Sequence, residues 1–211
     1  MNRTTLPLGA IGANCYILTD DATRQACVID PAVMCREIEQ ALAGYELRYI
    51  LLTHGHFDHI FGVNGLRALF PNVKVAIHAA DERCLTDPNY NLAGDAELPE
   101  ECRHITADII LHGGERLPFA DTEFEVIHTP GHSSGSVCYL DRKNRAVYTG
   151  DTLFCLTVGR TDFVDGDFDQ LMSSLQKLLP LEDETAVFPG HNRASTIGFE
   201  KKRNRYLRKM S

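Results

Sequence analysis

The segment Thr53-His54-Gly55-His56-Phe57-Asp58-His59 places four side chains able to bind a metal within six residues. In extended chain, residues two apart point to the same side, so His54 and His56 can grip one ion from one direction. Once the chain turns, Asp58 and His59 face a neighbouring point. That spacing favours two adjacent ions, and Gly55 gives the turn room. At this chain's histidine and aspartate content, H-x-H-x-D-H arises by chance in about one such chain in a thousand, so a solvated polar turn is a weak competitor.

Three more residues of ligand type stand where strands should end. His132 follows Thr129-Pro130-Gly131 after a β-rich run over 123–128. Asp151 follows Gly150 after 146–149, and His191 follows Pro189-Gly190 after 186–188. Loops at strand ends are where a rigid scaffold places its functional groups. With the first cluster these residues supply seven nitrogen and oxygen donors, enough for two ions sharing a bridging carboxylate. A donor set without thiolate suits two divalent ions, with zinc expected and iron or manganese compatible with the same side chains. His78, His104, His112 and His128 lack ligand-type partners nearby and are assigned to structure.

The elements that must position these residues are short β-rich runs over 15–19, 26–29, 49–52, 74–77, 123–128, 137–140, 146–149 and 186–188. Most are bounded by Gly, Pro, Asp or Asn. A helical stripe runs through Val33, Met34, Ile38, Ala41 and Leu42. A cleaner one runs through Phe168, Leu171, Met172, Leu175, Leu178 and Leu179, with Asp167 as N-cap and Pro180 as stop. Residues 60–63 read as a helix opening, and the basic stretch 199–209 as a terminal helix with a solvated face. Strand and helix alternate in the early half, whereas the middle runs several strands in succession through tight turns at Gly113-Gly114 and 141–144. The mixture predicts helices covering a sheet assembly that contains both hairpins and crossovers. The polar segment 86–106 has no strong period and reads as a lid or binding loop, or as a surface excursion.

A length of 211 residues suits a single domain over 1–211. The chain is 44% hydrophobic and 24% charged, which excludes collagen-like, disordered and low-complexity classes. With 29 acidic against 21 basic residues the net charge is −8, so nucleic acid and membrane surfaces are poor partners and a small molecule is the expected one. No apolar run approaches a membrane span, and no secretory leader is read at the N-terminus. The seven cysteines show no C-x-x-C spacing, and most read as buried hydrophobes of a reducing cytoplasm. Nothing in the sequence indicates an oligomeric state.

T-H-x-H-x-D-H at 53–59, T-P-G-H at 129–132, T-G-D-T at 149–152 and P-G-H at 189–191 together resemble the metallo-β-lactamase superfamily, over nearly the whole chain. Gly159-Arg160-Thr161-Asp162-Phe163 and the run 195–200 resemble its glyoxalase II-like (hydroxyacylglutathione hydrolase) branch, in the short form without a C-terminal helical domain. The resemblance implies an α+β fold, a four-layer αβ/βα sandwich with the metal site at one edge of two sheets. It implies that His54, His56 and His132 hold one metal, that Asp58, His59 and His191 hold the other, and that Asp151 bridges them. Two departures bear on substrate: the usual D-P-G is here Asp30-Pro31-Ala32, and the usual G-H-G-P is Gly190-His191-Asn192-Arg193, which brings an extra cation close to the metals.

The chemistry expected is hydrolysis of a thioester, of the S-lactoylglutathione kind, by a hydroxide shared between two ions. Asp58 is the expected catalytic residue, orienting the nucleophile and taking up its proton. Arg160 is the expected contact for a substrate carboxylate, with an ion pair to Asp162 or Asp165 as its structural alternative. Three other readings stand beside this one. They are a single-iron persulfide dioxygenase, a lactonase or esterase, and a metal-dependent binding module without chemistry. Val158, where the dioxygenases commonly carry Cys, favours hydrolysis. A complete set of seven ligands disfavours the binding module.

Overall fold

The computed structural model describes residues 1–94 and 103–210. Its first sheet is built in chain order from β1 (Asn2–Leu8), β2 (Ala13–Asp20), β3 (Gln25–Ile29), β4 (Glu46–Leu51), β5 (Lys74–His78) and β6 (Ile109–Leu111). The first three strands form an antiparallel meander; β3 to β6 are parallel. Parallel neighbours need crossovers, and these are supplied by α1 (Arg36–Leu42), by the pair α2 (Phe57–Ile60) and α3 (Val63–Leu69), and by a 3-10 segment at Ala79–Leu85.

The second sheet contains β7 (Arg116–Phe119), β8 (Thr122–His128), β9 (Val137–Asp141), β10 (Ala146–Gly150), β13 (Ala186–Pro189) and β14 (Ser195–Thr196). Its only parallel pair, β10 with β13, is joined through α4 (Phe168–Gln176). A small hairpin of β11 (Leu153–Phe154) and β12 (Thr157–Val158) leaves β10 beyond Asp151, and α5 (Ile197–Arg203) follows β14.

Side-chain alternation shows why the sheets stack as four layers. Along β2, Cys15 and Ile17 pack with Ile38, Leu42, Val63 and Leu66 beneath the helices of the first half. Tyr16 and Leu18 face the other way, into a core shared with Phe124, Tyr139, Tyr148 and Phe188 of the second sheet. On β9 and β10, Cys138, Leu140 and Val147 turn outward to Leu175, Leu178 and Ile197. A period of two on strands buried on both faces leaves three apolar cores between four layers. This is the expected αβ/βα sandwich.

Every strand read from the sequence lies in an observed strand, apart from Leu52, which falls one residue beyond β4. The helices needed more correction. α1 begins at Arg36 rather than Val33, which is exposed, and α4 ends at Gln176, with turns carrying Leu178 into the core. Asp167 caps α4 as expected, accepting from the Gln170 N–H at 2.9 Å. The basic tail is α5, a break at Asn204, and a short 3-10 turn over Leu207–Lys209. The helix opening expected at 60–63 starts earlier: Asp58 and His59 already sit on the helical turn α2. Cys15, Cys27, Cys84 and Cys138 are free and buried, as read; Cys102 and part of the 86–106 loop lie outside the described residues. Among the described residues no helix is long and apolar enough to cross a membrane.

Candidate metal centre

The segment after β4 and the loops that follow β8, β10 and β13 meet at one end of the two sheets. The three glycines before His132, Asp151 and His191 let the loops close in. Gly131 has φ +138°, and a Cβ there would meet the Leu171 nitrogen at 2.3 Å; a Cβ on Gly190 would meet an Asp151 carboxylate oxygen at 2.2 Å. Only a residue without a side chain fits at either position.

All seven residues expected from the sequence converge. Donor atoms of His54, His56 and His132 lie within 4.8 Å of one another, as do those of Asp58, His59 and His191. Asp151 stands between the two groups. Its Oδ2 is 3.4 Å from His132 Nε2 and 3.7 Å from His191 Nε2, and its Oδ1 is 3.6 Å from His59 Nε2. His56 Nδ1 and His132 Nε2 face each other at 2.9 Å, and Asp58 Oδ2 lies 3.1 Å from His191 Nε2.

Hydrogen bonds at the far side of three rings fix which nitrogen faces inward. His132 Nδ1 donates to the Arg160 carbonyl at 2.7 Å, which leaves Nε2 bare. His59 Nδ1 donates to Asp30 Oδ2 at 3.0 Å. Thr53 gives its only hydroxyl proton to Asp30 at 2.6 Å, so its oxygen accepts from His54 Nδ1 at 3.1 Å and leaves His54 Nε2 bare. Such outer partners are how metal-binding histidines are generally oriented.

The residues fit a pair of cations. His54 Nε2, His56 Nε2, Asp58 Oδ2, His59 Nε2 and Asp151 Oδ1 are buried and form no hydrogen bond. Buried polar atoms without partners are costly unless a ligand satisfies them; at His56 it is Nδ1, 2.9 Å from His132 Nε2, that faces the group. The charge state agrees. Burial and the surrounding imidazoles push His54 well below the usual histidine range and His56 down to about 2, so both are neutral. His59 differs: burial opposes its charge, yet Asp58, Asp30 and Asp151 raise it well above that range, so the carboxylates around Nε2 favour a positive charge there, whether a proton or the metal ion that would displace it. Asp58 itself is held well below the carboxylate range, its burial outweighed by His59 and His191.

Arg160 lies on the wall of a cavity of about 400 Å³ over this centre, with Ile11, Leu92, Phe154 and Phe163. Its guanidinium is paired with Asp162 through Nε at 2.9 Å and Nη2 at 2.8 Å, the structural alternative weighed for it, and lies over the Phe163 ring. Leu92 brings the described part of the 86–106 loop to the cavity, where Asn91 accepts the Phe57 N–H at 2.8 Å. His78, His112 and His128 stand apart, with the His78 and His128 rings stacked at 3.9 Å.

Sequence reasoning missed two residues. Asp30, after β3, accepts from Thr53 and His59; its signal was an acidic residue before proline at a strand end. Asp81 is fully buried on the 3-10 segment and accepts from the Gly55 N–H (2.9 Å), the Ser133 hydroxyl (2.7 Å) and the Gly135 N–H (2.6 Å). Nothing in its local sequence marks it.

Comparison with known proteins agrees with this geometry. The profile of the metallo-beta-lactamase superfamily matches residues 8–191. Hydroxyacylglutathione hydrolase GloC of Haemophilus influenzae is 33% identical over 214 residues, across the whole of both chains. Among solved structures, BLEG-1 B3 metallo-beta-lactamase superposes with a TM-score of 0.90 at 35% identity, covering 98% of this chain and 99% of its own. TTHA1623, in a di-iron-bound form, gives 0.83 at 32% identity, covering 97% and 100%.

Proposed function

The chain belongs to the metallo-beta-lactamase superfamily, and from that membership we propose that it is a metal-dependent hydrolase acting on thioesters of small thiols, of the S-lactoylglutathione kind. The observation that carries this reading is the convergence of His54, His56, Asp58 and His59 from the first half with His132, Asp151 and His191 from the second, around buried atoms that have no hydrogen bond. The likeness to GloC over its full length supports the thioester as substrate. The cavity, at about 400 Å³, is of the size that encloses a small molecule.

In this reading His54, His56 and His132 hold one divalent ion, Asp58, His59 and His191 hold a second, and Asp151 spans both. Zinc or iron suits these donors. Bound there, the ions supply Lewis acidity, bringing the ionisation of a water toward neutral pH and polarising a carbonyl oxygen.

The chain's own residues do the rest. Asp151 fixes the separation of the two groups through its two oxygens. Asp58, which lines the cavity, orients the attacking water through its carboxylate and takes up its proton. A bond forms from water oxygen to the acyl carbon, the carbon–sulfur bond breaks, and the sulfur leaves as thiolate to be protonated. Phe154, Phe163 and Leu92 screen the reacting carbon from bulk water. Arg160 holds His132 through its carbonyl. With Nε and Nη2 committed to Asp162, its free Nη1 is what it offers a substrate carboxylate.

The test is Asp151→Ala, with metal per chain measured by mass spectrometry alongside hydrolysis of S-lactoylglutathione. Bound metal is expected to fall from two toward zero and kcat/KM by more than about a thousand-fold. Activity surviving in this variant would overturn the mechanism. Turnover of a β-lactam by the metal-loaded protein, with no thioester cleaved, would replace the substrate.

A further inference from the structure

We propose that a second cavity, built around Arg193 beside the metal centre, is a subsite for a carboxylate on the thiol-carrier end of the substrate. The proposal rests on the thioester reading above. This cavity, of about 400 Å³, is lined by Cys155, Arg193, Ala194, Ser195, Thr196 and Phe199. The two linings share no residue but neighbour one another along the chain at two points. Phe154 lines the metal-centre cavity and Cys155 the second; His191 lines the first and Arg193, two residues on, the second. Two residues of backbone span at most about 7 Å, less than the length of an extended tripeptide carrier. A thioester whose acyl carbon sits over the metals can therefore lay its carrier across this boundary.

Arg193 is placed and available. Its Nε donates to Cys155 Sγ at 3.3 Å, which fixes the guanidinium plane and leaves both terminal nitrogens free to bind. Among the described residues no carboxylate lies within ion-pair distance of it, in contrast to Arg160, whose fork is taken by Asp162. The backbone beneath it is held: the Asn14 side chain donates to the carbonyls of Pro189 (2.9 Å) and Asn192 (2.8 Å), and the Asn14 N–H to that of Gly190 (2.7 Å). The Thr196 hydroxyl accepts from the Phe199 N–H at 3.2 Å and keeps its own proton to give, and the Ser195 hydroxyl has no hydrogen bond. A planar cation with hydroxyl donors on the same wall recognises a carboxylate, while the Phe199 ring suits the carrier's methylenes.

Two measurements test this on the metal-loaded, full-length protein. The first compares hydrolysis of S-lactoylglutathione with that of its diethyl ester, which carries no carboxylate. In Arg193→Gln the ratio of the two kcat/KM values is expected to fall about tenfold, through KM, with Arg193→Lys recovering part of it. An unchanged ratio overturns the proposal. The second follows alkylation of Cys155 by iodoacetamide, resolved by peptide mass spectrometry. S-methylglutathione is expected to slow labelling several-fold in the wild type, its diethyl ester not, and the protection to vanish in Arg193→Gln. Equal protection by acid and ester, or none by either, sinks the subsite. If the wild-type protein cleaves neither thioester, the thioester reading fails on its own, and the Cys155 measurement still decides whether a carboxylate binds here.

Discussion

At the scale of single residues, Asp30 does more for the centre than its distance in sequence suggests. Its two oxygens accept the Thr53 N–H, the Thr53 hydroxyl and His59 Nδ1, so one carboxylate sets the inward nitrogen of His59 directly and that of His54 through Thr53. It is held at φ +53°, a conformation few side-chain-bearing residues adopt. In Asp30→Asn one of those acceptor oxygens becomes a donor. Metal affinity, read by competition with a chromophoric chelator, should weaken about 10–100-fold while the seven inner side chains stay in place. Undiminished affinity would mean the rings are oriented by packing alone. The seven inner residues were legible because their types and spacing are rare. Asp30 was not, because its partner His59 lies 29 positions on and only the fold brings it near.

At the scale of elements, Asp81 joins two segments that must keep register. The turn holding His54 and His56 and the loop holding His132 are separate in sequence, yet Gly55, Ser133 and Gly135 all donate to this one buried carboxylate. The fit is close: a Cβ on Gly55 would meet Cys84 Cβ at 2.3 Å, and one on Gly135 would meet Asp81 Oδ1 at 2.5 Å. Asp81→Asn sets an amide N–H against a backbone N–H, leaving a buried donor unmet at about 1–3 kcal/mol, visible as a lower urea midpoint. Because the lost bonds join the turn at 54–56 to the loop at 132–135, metal held by His54, His56 and His132 should weaken more than metal held by Asp58, His59 and His191. Equal weakening at both would make Asp81 a general stabiliser. Strands buried on both faces, such as β2 and β10, were readable from their apolar runs. β1 was not, since most of its residues are exposed at the sheet edge, and two-residue strands such as β14 carry no period. The four-residue helix α2 was hidden for the same reason: a single turn is too short to show a period.

For the molecule as a whole, the centre is a clasp between halves. His54, His56, Asp58 and His59 come from the first sheet's side, and His132, Asp151 and His191 from the second's. Elsewhere the halves are joined by the shared core and by a few buried hydrogen bonds, including Tyr139 Oη to the Leu52 carbonyl (2.8 Å) and Tyr16 Oη to the Pro189 carbonyl (2.6 Å). Cations held across this seam would bind only the folded chain and so would stabilise it by mass action. Free metal a thousand-fold above its Kd contributes about 4 kcal/mol, which in a domain of this size raises Tm by about 8–16 °C. Stripping the metal with a chelator should lower Tm by that amount, and restoring zinc or iron should return it. Asp151→Ala should shrink this gap, since the carboxylate between the two groups is gone. Tyr139→Phe, which removes an inter-sheet hydrogen bond that involves none of the seven ligand side chains, should lower both curves by about 1 kcal/mol and leave the gap intact. A Tm indifferent to chelation would show that the seam is held without cations, and the arrangement of ligands across the two sheets would then need another explanation.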